Sequence, residues 1–449
     1  MYRLLITSAV LLFLAAAADA ETLKLSLRDA MSMALENNNQ IKAARFASDA
    51  AGQGIKIANS RYLPAVSFEE TFAATNSPTN AFMMKLDEGN FAFSDFDTIN
   101  NPPTRHDFKT VLTVQQPLFV PSLSPLKEMA VKDAQKSELE LEAARQGIAF
   151  QVFFTYLDVQ KADAQLGSAV KAVADARENM RLATVRTSSG VGLKSDELRS
   201  RTHLSMVEQQ QITASNNLTL AKMKLAMLIG LPDAALSGKE PFEISGFQDG
   251  VAVPELSDQV ISDALQSRVE VKQSHTALEK SDAALSLARS EYLPTVGAFA
   301  SYQLNAKDAP FTSDNEAWTA GVSLKWNIFD GFRTNSERRR ALSGQAAARE
   351  MLESTTKDVR YQLRESYIRR DEAGKHLEVA VHAVADAEET VRLLSKRYEN
   401  SLSTLVELLD AQTALNQARA NLVETEAGYA VAGGRVYYMT GTFVKEMLK

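Results

Sequence analysis

Two periods of apolar spacing take turns along the chain. From about Ser26 to Arg61, and again from about Asp258 to Glu291, the spacing is helical, and each run stops at a Tyr-Leu-Pro triplet, Tyr62-Leu63-Pro64 and Tyr292-Leu293-Pro294. The residue before proline is pushed out of the helical region, so Pro64 and Pro294 mark helix-to-strand turns. The period then falls from 3.6 to 2. Trp318, Ala320, Val322, Leu324, Trp326 and Ile328 alternate with Thr319, Gly321, Ser323, Lys325 and Asn327, the pattern of a strand with one apolar and one polar face. Val296 to Leu304 alternates similarly, interrupted at Phe299, while Val66 to Phe72 and Phe108 to Phe119 alternate less cleanly, broken by Glu70 and Val111. These stretches predict four strands, in two pairs.

Beyond each strand pair lies a proline-free helical run, roughly Leu126 to Ser188 and Thr334 to Glu399. At 1.5 Å per residue each is about 95 Å long, several times an ordinary globular helix. Each turns, at Gly190-Val191-Gly192 and at Asn400-Ser401-Leu402-Ser403, into a second helix over about Ser195 to Ile229 and Thr404 to Met439. Leu377, Val384, Val391 and Tyr398 fall seven apart with Ala380, Ala387 and Leu394 between them. Leu166, Val173, Met180 and Ala169, Ala176, Ala183 match them in the first half, a heptad seam whose small residues allow close helix approach.

The halves therefore say nearly the same thing twice. Arg61-Tyr62-Leu63-Pro64-Ala65-Val66 returns as Glu291-Tyr292-Leu293-Pro294-Thr295-Val296, and Ala172-Val173-Ala174-Asp175-Ala176 as Ala383-Val384-Ala385-Asp386-Ala387. The offset is 230 at the first pair and 211 at the second, so about twenty residues are missing from the second copy. They belong to the loop between strands, Asn76 to Asp107 in copy one against Asn305 to Ala317 in copy two, because loops tolerate length changes best. The predicted organisation is a signal peptide over 1–20, a first repeat over 21–230, a linker over 231–256 rich in proline and glycine, and a second repeat over 257–449.

Arg3, the apolar run from Leu4 to Ala17 and Ala18-Asp19-Ala20 read as a secretory signal peptide, with Glu21 as the mature N-terminus. Nothing later has the length and apolarity of a transmembrane helix. The chain has no cysteine, which excludes disulfides, a thiolate metal site and lipidation on cysteine. A net charge of −7 argues against a nucleic-acid partner.

Four strands with an apolar face cannot close a barrel, since the smallest common closed form needs about eight. In lipid, open edges leave unpaired backbone groups, so the missing strands must come from other copies of the chain. Three chains would give twelve, an even number within the range of outer-membrane barrels. Trp318 and Trp326, the only tryptophans, stand eight apart on one apolar face. Tilted by about 40°, eight residues at about 3.3 Å span roughly 20 Å, close to the distance between two membrane aromatic girdles.

With these elements in this order, the sequence resembles the TolC family of outer-membrane efflux proteins. The resemblance covers the expected mature chain and rests on the twofold repeat, the Tyr-Leu-Pro turns, Phe329-Asp330-Gly331 after the last strand and Thr404-Leu405-Val406-Glu407-Leu408-Leu409-Asp410-Ala411-Gln412 opening the last long helix. It implies an α+β membrane protein and a homotrimer, with a twelve-stranded β-barrel in the outer membrane continued by a twelve-helix α-barrel through the periplasm. A periplasmic adaptor and an inner-membrane pump would be its partners. Carboxylates that ring the pore near its periplasmic entrance in the family correspond here to Glu407 and Asp410. Those two positions also suit a capping box, Thr404-x-x-Glu407, and the helix dipole. The tip segments Gly190, Val191, Gly192, Leu193 and Ser401, Leu402, Ser403, Thr404 look like the family's adaptor-docking turns. Some members lock the entrance with an arginine where this chain has Ser403, which leaves Arg397 and Tyr398 as candidate gate partners.

No catalytic, cofactor or metal constellation is expected: the five histidines are scattered, and Gly190-x-Gly192 lacks the context of a phosphate loop. Met83, Met84, Phe91, Phe93 and Phe96 make the long first loop either a binding surface or a self-packed cap. The competing reading is a soluble periplasmic coiled-coil adaptor, for which one hairpin flanked by compact β domains would be expected.

Overall fold

The computed structural model describes residues 23–232, 242–245 and 253–448. The expected signal peptide and most of the expected linker lie outside the described residues. In chain order the elements are β1 (Leu23–Leu25), α1 (Leu27–Asn37), α2 (Asn39–Ser60), β2 (Ala65–Thr75), α3 (Pro78–Asp87), a 3-10 turn (Phe93–Thr98) and β3 (Arg105–Phe119). Then come α4 (Leu123–Ser188), α5 (Lys194–Leu228), β4 (Phe242–Ile244), α6 (Asp258–Ser267) and α7 (Val269–Ser290). The last are β5 (Thr295–Ala306), β6 (Asn315–Lys325), α8 (Arg333–Glu399), α9 (Leu405–Thr440) and α10 (Phe443–Met447). The chain forms two compact units. One holds the chain up to Phe46 with Leu139–Lys272 and Ser354–Lys449; the other holds Ala47–Glu138 and Gln273–Glu353.

In the helical unit, Met31, Phe153, Tyr156, Leu225, Ile229 and Phe443 are fully buried in one cluster fed by α1, α4, α5 and α10. The Tyr156 hydroxyl donates to Leu25 O at 3.0 Å and accepts from Ser245 N at 3.2 Å, tying α4 to the parallel pair β1 and β4. Within the expected linker and equatorial segment over 231–256, Phe242–Ile244 form strand β4, too short to leave a periodic signature.

The two helices expected to run unbroken into Tyr-Leu-Pro are each interrupted. Asn38 and Arg268 leave helical geometry at nearly identical dihedrals, φ −61 and ψ 128 against φ −59 and ψ 127. Neither is proline or glycine; Asn38 Oδ1 caps the next helix by accepting from Gln40 N at 2.8 Å, Arg268 bonds Glu270, and both side chains also make distant contacts. Asn38 Nδ2 donates to Leu228 O at 2.9 Å, and Arg268 Nη1 to Met439 O at 3.2 Å. The acceptors stand 211 residues apart and close α5 and α9, each followed by a left-handed glycine, Gly230 or Gly441.

The hairpins carry a mirrored pair of ions. Arg177 bonds Glu208 at 3.1 Å between α4 and α5, and Arg419 bonds Glu388 at 2.7 Å between α9 and α8. Adding 211 to the first pair lands on the second with the charges exchanged. Exposed pairs like these add at most about 1 kcal/mol each, so they select helix register more than they stabilise.

The second unit holds an antiparallel sheet in the order β2-β3-β5-β6. Directly paired residues share a face. The register places Phe68, Leu112, Tyr302 and Trp318 in one row and Val66, Val114, Ala300 and Ala320 in another on that face. Ser67, Thr113, Ser301 and Thr319 line up on the opposite face. The apolar face is bare: Trp318 is 76 % exposed, Val322 67 % and Val66 65 %. Strands β2 and β6 each have one neighbour, so both edges are open.

Strand β6 stops at Lys325, short of the expected Ile328, and just beyond it the Trp326 indole N–H donates to Tyr292 O at 3.1 Å. In the other half Gln116 Nε2 donates to Tyr62 O at 3.0 Å. Both Tyr-Leu-Pro turns are thus fastened by the strand that returns beside them. The expected loop 76–107 also differs from its reading, since it contains α3 and the 3-10 turn. Phe91 packs edge-on against both Phe82 and Phe96, so part of the loop's aromatic content is spent on its own packing.

Candidate functional site at the hairpin tips

Each helical hairpin needs a reversal too tight for ordinary backbone. In the first, Val191 N and Gly192 N both donate to Arg186 O, at 3.1 and 2.9 Å, and Gly190 sits at φ +76. A Cβ on Gly192 would lie 2.9 Å from the Arg186 backbone, so a side chain there would force the turn open. In the second, Leu402 N donates to Arg397 O at 2.7 Å, and Ser401 takes φ +60 at the position matching Gly190. A serine in left-handed geometry is strained and persists only where neighbours hold it.

One of those neighbours is Arg186. Its Nη2 donates to Ser401 Oγ at 2.9 Å and its Nη1 to Tyr398 O at 2.8 Å. Its guanidinium carbon also lies 4.8 Å from the centre of the Tyr398 ring. One side chain at the end of α4 therefore grips the backbone, the ring and the strained hydroxyl of the opposite tip. The Tyr398 side chain is buried against Leu405 and Leu408, a small core at the head of α9. Burial pushes its phenol above the usual range, the Arg186 charge pulls it back and Asp196 adds to the rise. Further up, Asn179 Nδ2 donates to Gln412 Oε1 at 2.6 Å, a second link between hairpins.

Of the two residues expected as candidate gate partners, Tyr398 is contacted from the opposite hairpin through its carbonyl, whereas Arg397 Nη2 donates to Leu402 O at 3.1 Å and closes its own turn. Ser403 donates to Leu394 O at 3.3 Å, also within its own hairpin. Sequence reading missed Arg186. The signal was present, because Arg186 precedes Arg397 by the same 211 residues that relate the two tips.

Thr404 Oγ1 accepts from Glu407 N at 3.3 Å, which is the N-cap half of the expected capping box. Glu407 and Asp410 are exposed, on the side of the helix away from the buried Leu405 and Leu408. Their counterpart region differs: Glu197 is buried and bridges Lys194 at 2.7 Å and Arg201 at 3.2 Å. Val191, Leu193 and Leu402 point outward at the tips, each at least two-thirds exposed. Among the described residues no three carboxylate, thiol or imidazole groups gather where they could hold a metal ion.

The sequence matches the family model described as Outer membrane efflux protein over residues 30–231 and 260–442. It is 23 % identical to the alkaline protease secretion protein AprF of Pseudomonas aeruginosa, over 93 % of this chain and 84 % of that protein. It is 21 % identical to the outer membrane protein TolC of Vibrio cholerae, over 94 % and 92 %. The structure superposes on the crystal structure of the Campylobacter jejuni CmeC outer membrane channel with a TM-score of 0.79 at 17 % identity, covering 93 % of this chain and 86 % of that one. The match to both halves shows that this chain belongs to the outer membrane efflux protein family, whose members are outer-membrane channels and not enzymes.

Proposed function

We propose that three copies of this chain close into a passive exit duct, twelve strands across the outer membrane and twelve helices through the periplasm, built from two repeats per chain. The observation that carries this reading is the four-stranded sheet with two open edges and one bare apolar face. An isolated sheet of this kind is unstable both in water and in lipid, and edge-to-edge closure with copies of itself removes both faults. Trp318 and Trp326 then belong to the aromatic girdles at the two edges of the apolar band. Heat-sensitive trimers in purified outer membrane, with stepwise conductance in planar bilayers, are the expected result. A monomer in the soluble periplasmic fraction would sink the proposal.

The partners in this reading are a periplasmic adaptor and an inner-membrane pump of a tripartite efflux or type I secretion system. Support comes from the names of relatives, a protease secretion protein among them, and from the bare apolar tips Val191, Leu193 and Leu402. Such side chains at a hairpin end are the kind that a docking helix covers.

Glu407 and Asp410 would bring six carboxylates to the periplasmic entrance of a trimer. Because neither is spent on a buried contact, their charge is free to concentrate cations. Glu407→Gln with Asp410→Asn is expected to cut cation-over-anion preference roughly tenfold at low salt, and less at high salt where screening already weakens the ring. Reversal potentials under a salt gradient measure this directly, and an unchanged potential would remove the acidic pair from the pore.

A further inference from the structure

The long loop between β2 and β3 is seated through a carboxylate that has nothing to bond. Glu88, at the end of α3, is 2 % exposed, and neither Oε1 nor Oε2 has a hydrogen-bond partner. Its strongest like-charge neighbour is Asp107 on β3, which is 5 % exposed, with Oδ2 accepting from Asn305 Nδ2 at 2.7 Å and Oδ1 unpartnered. Asp87 and Asp314 add negative charge around this pair, while Arg105 faces Glu88 and Lys109 faces Asp107.

Other contacts fix α3 on the polar face of the sheet. Helix α3 packs on β3 and β6, and Asn315 Nδ2 donates to Asp87 O at 3.0 Å. Gly89, at φ +71, brings the chain beside the Asn315 side chain. The anchorage is therefore specific, yet its most buried group is an acid surrounded mainly by acids. An ionised carboxylate this deeply buried and without a hydrogen bond of good geometry is disfavoured, since the Asn90 amide and the Arg105 charge only partly offset burial and the neighbouring acids, and a neutral one supplies a donor to those acids. Since no three ligating side chains converge among the described residues, the occupant these residues call for is a proton.

We propose that the loop over residues 76–104 is moored through a neutral Glu88, and that ionisation of Glu88 releases α3 from the sheet. Burial first, and the Asp107 charge second, hold the Glu88 carboxyl above its ordinary value of 4.5, against the pull of Asn90 and Arg105. The sign follows. Mooring is at full strength below 4.5 and weakens as pH climbs from there through the raised value, by about tenfold in the docked-to-free ratio for each pH unit of that interval. Under the channel reading the loop stands at the outer end of the duct. The mooring itself holds or fails without that reading.

Because the natural chain has no cysteine, a single Ser94→Cys in the 3-10 turn reports on the loop alone when it carries a nitroxide label. In full-length protein, spectra from pH 4 to 9 are expected to show an immobile label in acid and a mobile population that grows as pH climbs from 4.5 through the raised Glu88 value. Adding Glu88→Gln, which is neutral at every pH, is expected to keep the label immobile throughout. Asp107→Asn, which removes the neighbouring charge, is expected to shrink the pH response without abolishing it. A flat profile in the parent, or the same pH profile in the Glu88→Gln protein, overturns the proposal. So does immobilisation at pH 8 by millimolar calcium that Glu88→Gln abolishes, since the occupant would then be a cation.

Discussion

Replacing Arg186 with alanine is expected to loosen the two hairpin tips from each other and to raise the open probability of the assembled channel about thirtyfold. The size of the effect is set by what the guanidinium holds. A charged donor is worth about 1.5–3 kcal/mol when its acceptors are shielded, and a guanidinium over a tyrosine ring adds roughly 0.5–1 kcal/mol at a partly exposed site. Arg186 makes two such hydrogen bonds, one of them to an exposed hydroxyl, so a net of about 2 kcal/mol after solvent screening is reasonable, and 1.4 kcal/mol is a factor of ten. Arg186→Lys keeps the charge but loses the fork that spans Tyr398 O and Ser401 Oγ, and is expected to recover less than half of the effect. Ser401→Gly relieves the strained serine while cutting one bond, so it should fall near the parent. Tyr398→Phe leaves the carbonyl acceptor and the ring in place and should be almost silent. Single-channel recordings and entry of a large antibiotic into intact cells read the same equilibrium. If both match the parent in the Arg186→Ala protein, the tip contact does not hold the channel shut.

The contrast between Arg186 and Arg397 also shows where sequence reading stops. Alternation, heptads and proline turns lie in local periodicity, and the strands, hairpins and turns they predict are the elements seen in the chain. What fails to show is set by partners far away in sequence. Asn38 and Arg268 break helices without proline or glycine, and besides local bonds to Gln40 and Glu270 their side chains reach carbonyls 190 and 171 residues distant. Strand β4 exists through its pairing with β1, and α3 hides in a loop whose composition reads as irregular. Arg186 and Arg397 occupy matching places in two copies of one turn, yet one reaches across and the other folds back. Nothing in the local sequence around Arg186 tells which.

Gly434→Val is expected to be the most damaging single substitution away from the tips. Glycine in the middle of a helix ordinarily costs about 0.5–1 kcal/mol relative to alanine, so its presence in α9 needs a reason. The reason is Phe153. A Cβ at 434 would stand 2.3 Å from Phe153 Cε1 and 2.6 Å from Cζ. That ring has nowhere to go: it is 1 % exposed and packs against Phe150 and Phe443 with centroids 6.2 and 5.4 Å away. Overpacking of a close-packed core costs about 1–3 kcal/mol and more when backbone must move, so alanine at 434 is expected to cost about 2 kcal/mol and valine more than 3. In the same helix Gly428 has no heavy atom within 4 Å of its would-be Cβ, and Gly428→Ala is expected to be neutral or slightly stabilising in the isolated chain. Thermal melts followed by helical circular dichroism separate the two substitutions. The decisive comparison is the pair Gly434→Ala with Phe153→Leu: a smaller side chain at 153 vacates the space the new methyl needs, so the double variant should melt above Gly434→Ala alone. If it melts lower, the crossing of α9 over α4 is not limited by this contact, and glycine is there for the backbone instead.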